Sequence, residues 1–313
     1  MFQTIQTSLT VLALTGNCVS LLVIYGLVRR LTSPLRQLTS LSFADMLAAW
    51  AMMTLYLSAG NSAHHVTCGD VLHTSLLLTS HNAAALSLTS LATSHHIATF
   101  RPLQYEHLLA PRRVWVATTL LWALSGLLGH VQFIAGAVSQ GAGPVSYCEA
   151  VSRHTHLSII IATVIASFCL LAAVGIYASI LIYLRPVDAF VQPAVTGSGV
   201  PDGRNRSTRG VVTGILLFSC YALAWLPYLT VRQIASVGHV AVSVASTTLL
   251  AGCVANPVVY GSRMSSLQDG YGRLWGRGLD CARRAWSRCR PRPSDDESRL
   301  PTTPLNQLSS ICY

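Results

Sequence analysis

Seven apolar stretches divide the chain, at roughly 4–28, 36–59, 70–97, 113–137, 156–184, 210–234 and 240–261. Each is long enough to cross a hydrocarbon core of about 30 Å. In that solvent every backbone N–H and C=O must find its partner inside the segment, so such stretches fold as helices. Little chain remains between them, which excludes a soluble catalytic domain. The composition agrees: 51% of residues are apolar and 10% are charged, with a mean hydropathy of +0.49. The expected fold class is an all-α membrane protein, a seven-transmembrane helix bundle over residues 1–262. A short amphipathic membrane-surface helix is expected over 263–280 and a disordered cytoplasmic tail over 281–313.

Charge orients the bundle. All 21 basic residues are arginine, and 19 of them fall in alternate loops and the tail. These include Arg29, Arg30 and Arg36 after span one, Arg101, Arg112 and Arg113 after span three, and Arg185, Arg204, Arg206 and Arg209 after span five. Only Arg153 and Arg232 lie toward the other side. Positive charge stays in the cytoplasm, so the amino terminus is outside and the carboxyl terminus inside. The net charge of +10 reports topology and anionic lipid, and no nucleic-acid partner is expected. The first run has no basic residue before it and two after it, which fits an anchor rather than a cleaved leader. The sequon at Asn205 lies on the cytoplasmic side, where glycosylation is not expected.

Of nine cysteines, only Cys68 and Cys148 fall on the oxidising side, so they are the expected disulfide. No Cys/His spacing of metal-site type occurs, no phosphate loop or Ser/His/Asp set is visible, and neither a cofactor nor an enzyme activity is expected. Asn17 and Asp45 are intramembrane polar residues; Asp45 is the acidic residue placed deep in a span and needs a partner at that depth. Span three mixes leucine with small and hydroxyl residues such as Ser75, Ser80, Ala83 and Ser87, a composition that allows close backbone approach. Pro227 and Pro257 interrupt spans six and seven and kink them. Past span seven, Leu267, Tyr271, Leu274 and Leu279 recur at helical spacing among arginines, as in a helix lying at an interface. Cys281 and Cys289 follow and are candidates for palmitoylation. The tail ends in Ile311-Cys312-Tyr313, a form some PDZ domains accept.

In order along the chain, these features resemble the rhodopsin-like (class A) G-protein-coupled receptors. The matching residues are Gly16-Asn17, Leu41-Ser42-Phe43-Ala44-Asp45, Trp122, Tyr177, Trp225-Leu226-Pro227 and Asn256-Pro257-Val258-Val259-Tyr260. Arg101-Pro102-Leu103-Gln104-Tyr105 is similar to the start of the family's second cytoplasmic loop. The resemblance implies a multi-pass plasma-membrane receptor with a pocket opening outward among spans three, five, six and seven. It implies a heterotrimeric G protein inside, admitted when span six swings outward, and arrestin as a further partner. By helical position the pocket residues would be His73, Leu77, His81, Trp225, Tyr228, Arg232 and Ser246. The switch and G-protein interface would comprise Ser94, His95, His96, Tyr177, Asn256, Pro257 and Tyr260.

Departures from the family pattern sharpen these expectations. Where the family usually has Asp/Glu-Arg-Tyr, this chain has Ser94-His95-His96, and Ser207 stands where an acid is expected at the foot of span six. The usual resting ion pair therefore lacks both partners. Cys169 replaces the span-five proline, and Ala84 replaces a hydroxyl that commonly helps Asp45 hold sodium, so a complete sodium site is not expected. Leu77 occupies the position of the aspartate that binds amines, which argues against a monoamine. Arg232 is suited to a carboxylate or phosphate, and a lipid-like or small apolar-acidic ligand is the expectation. The outward histidines His64, His65, His73, His130, His154, His156 and His239 raise proton sensing as a further reading. The alternative functions are a non-coupling decoy or arrestin-biased receptor and, more remotely, a transporter.

Overall fold

The computed structural model describes residues 2–28, 32–59, 68–139, 147–191, 203–234 and 238–289. Arg29, Arg30, His64, His65 and the tail from 290 onward lie outside the described residues. The helices are α1 (Phe2–Gly26), α2 (Ser33–Ala59), α3 (Cys68–Phe100), α4 (Tyr105–Leu108), α5 (Pro111–Gly129) and α6 (Val131–Ser139). They continue with α7 (Tyr147–Ser152), α8 (Thr155–Val191), α9 (Gly203–Gln233), α10 (His239–Arg263) and α11 (Ser265–Cys289). No strand occurs among the described residues.

Five helices, α1, α2, α8, α9 and α10, are long and apolar enough to cross a membrane; α5 and α6 meet that test together across a 44° bend. The bend falls between Gly126 and Gly136, where the His130 N–H donates to Gly126 O at 3.0 Å. The longest helix outside that set, α3, has 33 residues and so extends about 50 Å at 1.5 Å per residue. Its serines, threonines and histidines lower its apolarity for a physical reason. It packs against α2, α5, α8 and α9, so it meets protein where the other helices meet lipid. The outward side of α8 shows the contrast, with Phe168 and Leu171 each 72% exposed.

Hydroxyl residues inside the spans satisfy themselves by donating to the carbonyl one turn earlier. Thr10 donates to Gln6 O at 2.8 Å and Thr89 to Ala85 O at 2.8 Å. That local bond makes a hydroxyl tolerable at membrane depth. Close approach of helices comes from glycine: a Cβ on Gly129 would overlap the Thr79 side chain of α3.

Residues 1–272 form one compact unit and residues 273–313 a second. Within the first, the opening turns of α11 pack on the bundle through buried Leu267 and through Tyr271, whose hydroxyl lies 2.7 Å from Ser20 Oγ. Burial pushes the Tyr271 phenol up, partly opposed by that hydrogen bond, so it stays neutral. The helix continues past Gly272 to Cys289; the Cys281 and Cys289 side chains lie outside the described set.

Candidate functional site

The candidate site is a column of side chains running down the bundle beside α3. At its outer rim, Cys68 and Cys148 are bonded, with Cα atoms 5.2 Å apart. This ties the first turn of α3 to α7. The bond joins the pair expected from topology.

Below the rim, the residues expected to face a ligand separate into two groups. His81, Trp225 and Tyr228 come together. His81 is fully buried, its ring stacks on Tyr221 at 5.6 Å and tilts against Trp225 at 4.5 Å. Trp225 in turn meets Tyr228 edge-on at 6.1 Å. His81 Nε2 lies 3.3 Å from Ala162 O of α8, and the Tyr221 hydroxyl lies 3.3 Å from His81 Nδ1. One imidazole thus touches three helices, α3, α8 and α9. Leu77 packs in the same core at 2% exposure, and Ser246 is buried on α10. The second group, His73, Arg232 and Ser246, shares no hydrogen bond with this cluster among the described residues. His73 Nδ1 is buried without a partner, and Arg232 lies half-buried in the last turn of α9.

Midway down, Asp45 accepts a hydrogen bond from Asn256 Nδ2 at 2.9 Å, and the Cys253 thiol lies within hydrogen-bonding reach of the same carboxylate. Asn17 Nδ2 donates to Cys253 O at 3.1 Å. Asn17 Oδ1 accepts from Tyr260 at 3.2 Å, and Ser42 Oγ lies 2.8 Å from the same hydroxyl. Tyr260, fully buried, therefore points at α1 and α2. Pro257, in the turn before it, sits 3.6 Å from where a Cβ on Gly16 would stand. Ala84 is buried in α3 and offers no hydroxyl to this cluster. Among the described residues no group of three His, Cys, Asp or Glu could hold a metal ion.

At the cytoplasmic end, Ser94, His95 and His96 take three different neighbours. Ser94 accepts a hydrogen bond from Gln37 of α2 at 2.7 Å. His95 Nδ1 lies 3.4 Å from the Tyr177 hydroxyl of α8. His96 packs on Phe100 at 4.4 Å, and Phe100 on Tyr183 at 4.7 Å. Arg263 Nε donates to Thr213 Oγ1 at 3.3 Å, joining the feet of α10 and α9. Beyond α3, Leu103 projects from the turn Pro102–Gln104 and is 99% exposed.

Several participants carry no motif. Gln37, which also donates to Ser90 Oγ at 2.9 Å, replaces charge with an amide at the α2–α3 foot. Tyr221 completes the His81 stack. Asn82 is 1% exposed with both amide atoms unpartnered. The available signal was a polar residue in an apolar run, which marks a buried contact without naming its partner.

The description "7 transmembrane receptor (rhodopsin family)" matches residues 16–260, most of the chain and all of this column except Arg263. The chain belongs to that family. It is similar to melanocortin receptor 5 of Sus scrofa, 27% identical over 203 residues that cover 60% of each chain. It is also similar to adenosine receptor A3 of Ovis aries, 23% identical over 282 residues, 86% of this chain and 87% of the relative. The adenosine receptor A3 of Bos taurus is 28% identical over 119 residues, 37% of each. The chain thus spans about three fifths of the melanocortin receptor it matches. As a member of the family it is a multi-pass membrane receptor of class A, and not an enzyme.

Proposed function

We propose that this receptor binds a small extracellular ligand and signals to a heterotrimeric G protein by outward movement of α9 at its cytoplasmic end. The observation that supports this reading is how α9 is held. Its outer half rests on His81 through Trp225, and its foot rests on His95 and Tyr177. Pro227 lies inside the helix and removes the hydrogen bond that Leu223 O would accept there, which provides a hinge. From Trp225 to Gly210 is about 22 Å along the axis at 1.5 Å per residue. A small shift of the Trp225–His81 contact is therefore magnified at the foot, and a ligand favouring the shifted packing moves the population.

The ligand is taken to be lipid-like or a small apolar acid. Leu77 offers an ammonium nothing, the His81 cluster is aromatic, and Arg232 has no acidic partner among the described residues. A guanidinium so placed suits a carboxylate or phosphate. The relatives are named for different ligands, so neither name is carried over. On the inner side, Cys281 and Cys289 are proposed as palmitoylation sites, and arrestin and a PDZ protein as further partners of the tail.

The test is a G-protein panel in transfected cells, wild type against His95→Arg, followed by long-chain fatty acids and lysophospholipids as probes. Second-messenger change in either receptor at matched surface expression supports coupling. Silence of both across the panel sinks it in favour of a non-coupling receptor. An acidic lipid that acts equally on wild type and Arg232→Gln removes Arg232 from the ligand site.

A further inference from the structure

Gly210 and Gly214 lie one turn apart at the foot of α9, on the side that meets α3 and α8. A Cβ on Gly214 would overlap the Tyr177 hydroxyl and stand 2.9 Å from Tyr177 Cζ and 3.1 Å from His95 Cε1. A Cβ on Gly210 would lie 3.6 Å from His95 Nε2. The imidazole therefore turns one nitrogen to the Tyr177 hydroxyl, at 3.4 Å, and the other to Gly210. Tyr177 is buried, as are Ile180 and Leu217 nearby in sequence. Elsewhere on α9 a glycine contact is apolar: a Cβ on Gly252 of α10 would meet the Ala224 methyl. At Gly214 the partner is a polar pair contributed by two other helices.

We propose that Gly210 and Gly214 form a seat for the Tyr177–His95 pair, and that this neutral, shape-based latch holds the resting receptor closed. Gly214 is the positioning residue: its missing side chain sets how closely α9 approaches α8 and α3. The two positions where the family carries an arginine and an acid hold His95 and Ser207, and close packing through small residues is the means by which helices associate tightly in lipid. The latch rests on the reading that the foot of α9 moves, and it predicts what governs that movement. A methyl group at position 214 forces α9 outward because its neighbours are a phenol ring and an imidazole, both held by their own helices.

The experiment measures the distance between spin labels on genetically encoded side chains at the exposed positions Ala98 and Arg209, in full-length receptor in lipid nanodiscs. Wild type is compared with Gly214→Ala, Gly214→Val and Gly175→Ala, the last at a glycine whose added Cβ meets nothing within 4 Å. The latch predicts a longer distance for both position-214 variants, longest for valine, and none for Gly175→Ala. It predicts basal signalling raised about threefold or more at equal surface expression, as a modest population shift gives. The double variant Gly214→Ala with Tyr177→Phe keeps the ring in its seat, loses the hydroxyl that the added methyl overlaps most, and gives a shorter distance than Gly214→Ala. Unchanged distances in both position-214 variants overturn the latch, as does a double variant that stays as open as Gly214→Ala. A longer distance with silent G-protein readouts keeps the latch and removes coupling.

Discussion

Asn256 donates to the carboxylate of Asp45 at 2.9 Å, joining α10 to α2 at 4% and 3% exposure. A carboxylate at that depth is tolerable only while something solvates it, and here an amide, with a thiol beside it, does so. Replacing Asn256 by Ala leaves the carboxyl short of a donor and costs about 1–3 kcal/mol. The measurement is the thermal unfolding midpoint of purified receptor in detergent. In the Asp45→Ala, Asn256→Ala cycle, the double variant should lose less than the two singles together. Strict additivity of the singles would show the pair does not interact.

His81 is the point at which α3, α8 and α9 are locked together. His81→Ala removes a fully buried ring and opens a cavity, costing about 2–5 kcal/mol. His81→Phe keeps the stack on Tyr221 and Trp225 but leaves the Tyr221 hydroxyl without its imidazole partner, costing about 1–2 kcal/mol. The alanine variant should therefore unfold at the lower temperature. If phenylalanine proves the worse of the two, the hydrogen bonds outweigh the packing.

Much of this architecture is written in the chain because membrane folding leaves few options. Apolar run length gives the helices, arginine placement gives orientation, and compartment gives Cys68–Cys148. What escapes is decided by rotation of one helix about its axis relative to the next. Gln37 reads as one polar residue at the start of span two, and only packing reveals that it faces Ser90 and Ser94. Gly210 and Gly214 have the small-xxx-small spacing of a close contact, but the spacing does not name Tyr177 and His95 as what they contact. His81 was legible as an inward residue. Its burial between Ala162 O and Tyr221 was not, because the side chain's depth depends on α8 and α9. The helix past span seven was legible from its periodicity, and it runs on to Cys289 because no proline intervenes before Pro291.

The Cys68–Cys148 bond closes a separation of 80 residues, and removing such a link costs about 2–5 kcal/mol. Cys68→Ser, Cys148→Ser and the double variant should lose surface expression to the same degree, since each removes the same bond. Alkylation before and after reduction, read by mass, should find both thiols blocked in wild type. A double variant clearly worse than either single would mean the two cysteines contribute separately.

Leu103 is 99% exposed on a cytoplasmic turn, preceded by Arg101 and followed by Arg112 and Arg113. Arg113 is tied back to His107 O at 3.2 Å, while Leu103 packs on nothing. A lone exposed leucine is ordinary on a soluble surface, but here it projects from a basic loop on the side proposed above to meet the G protein. An apolar side chain left uncovered by its own protein is free to fill a pocket on a partner. Leu103→Asp should leave surface expression and unfolding temperature close to wild type, within about 0.5 kcal/mol for a side chain without contacts. It should strongly reduce G-protein signalling, while Leu103→Met retains it. Equal signalling by Leu103→Asp and wild type, at matched expression, would exclude this loop from the coupling surface.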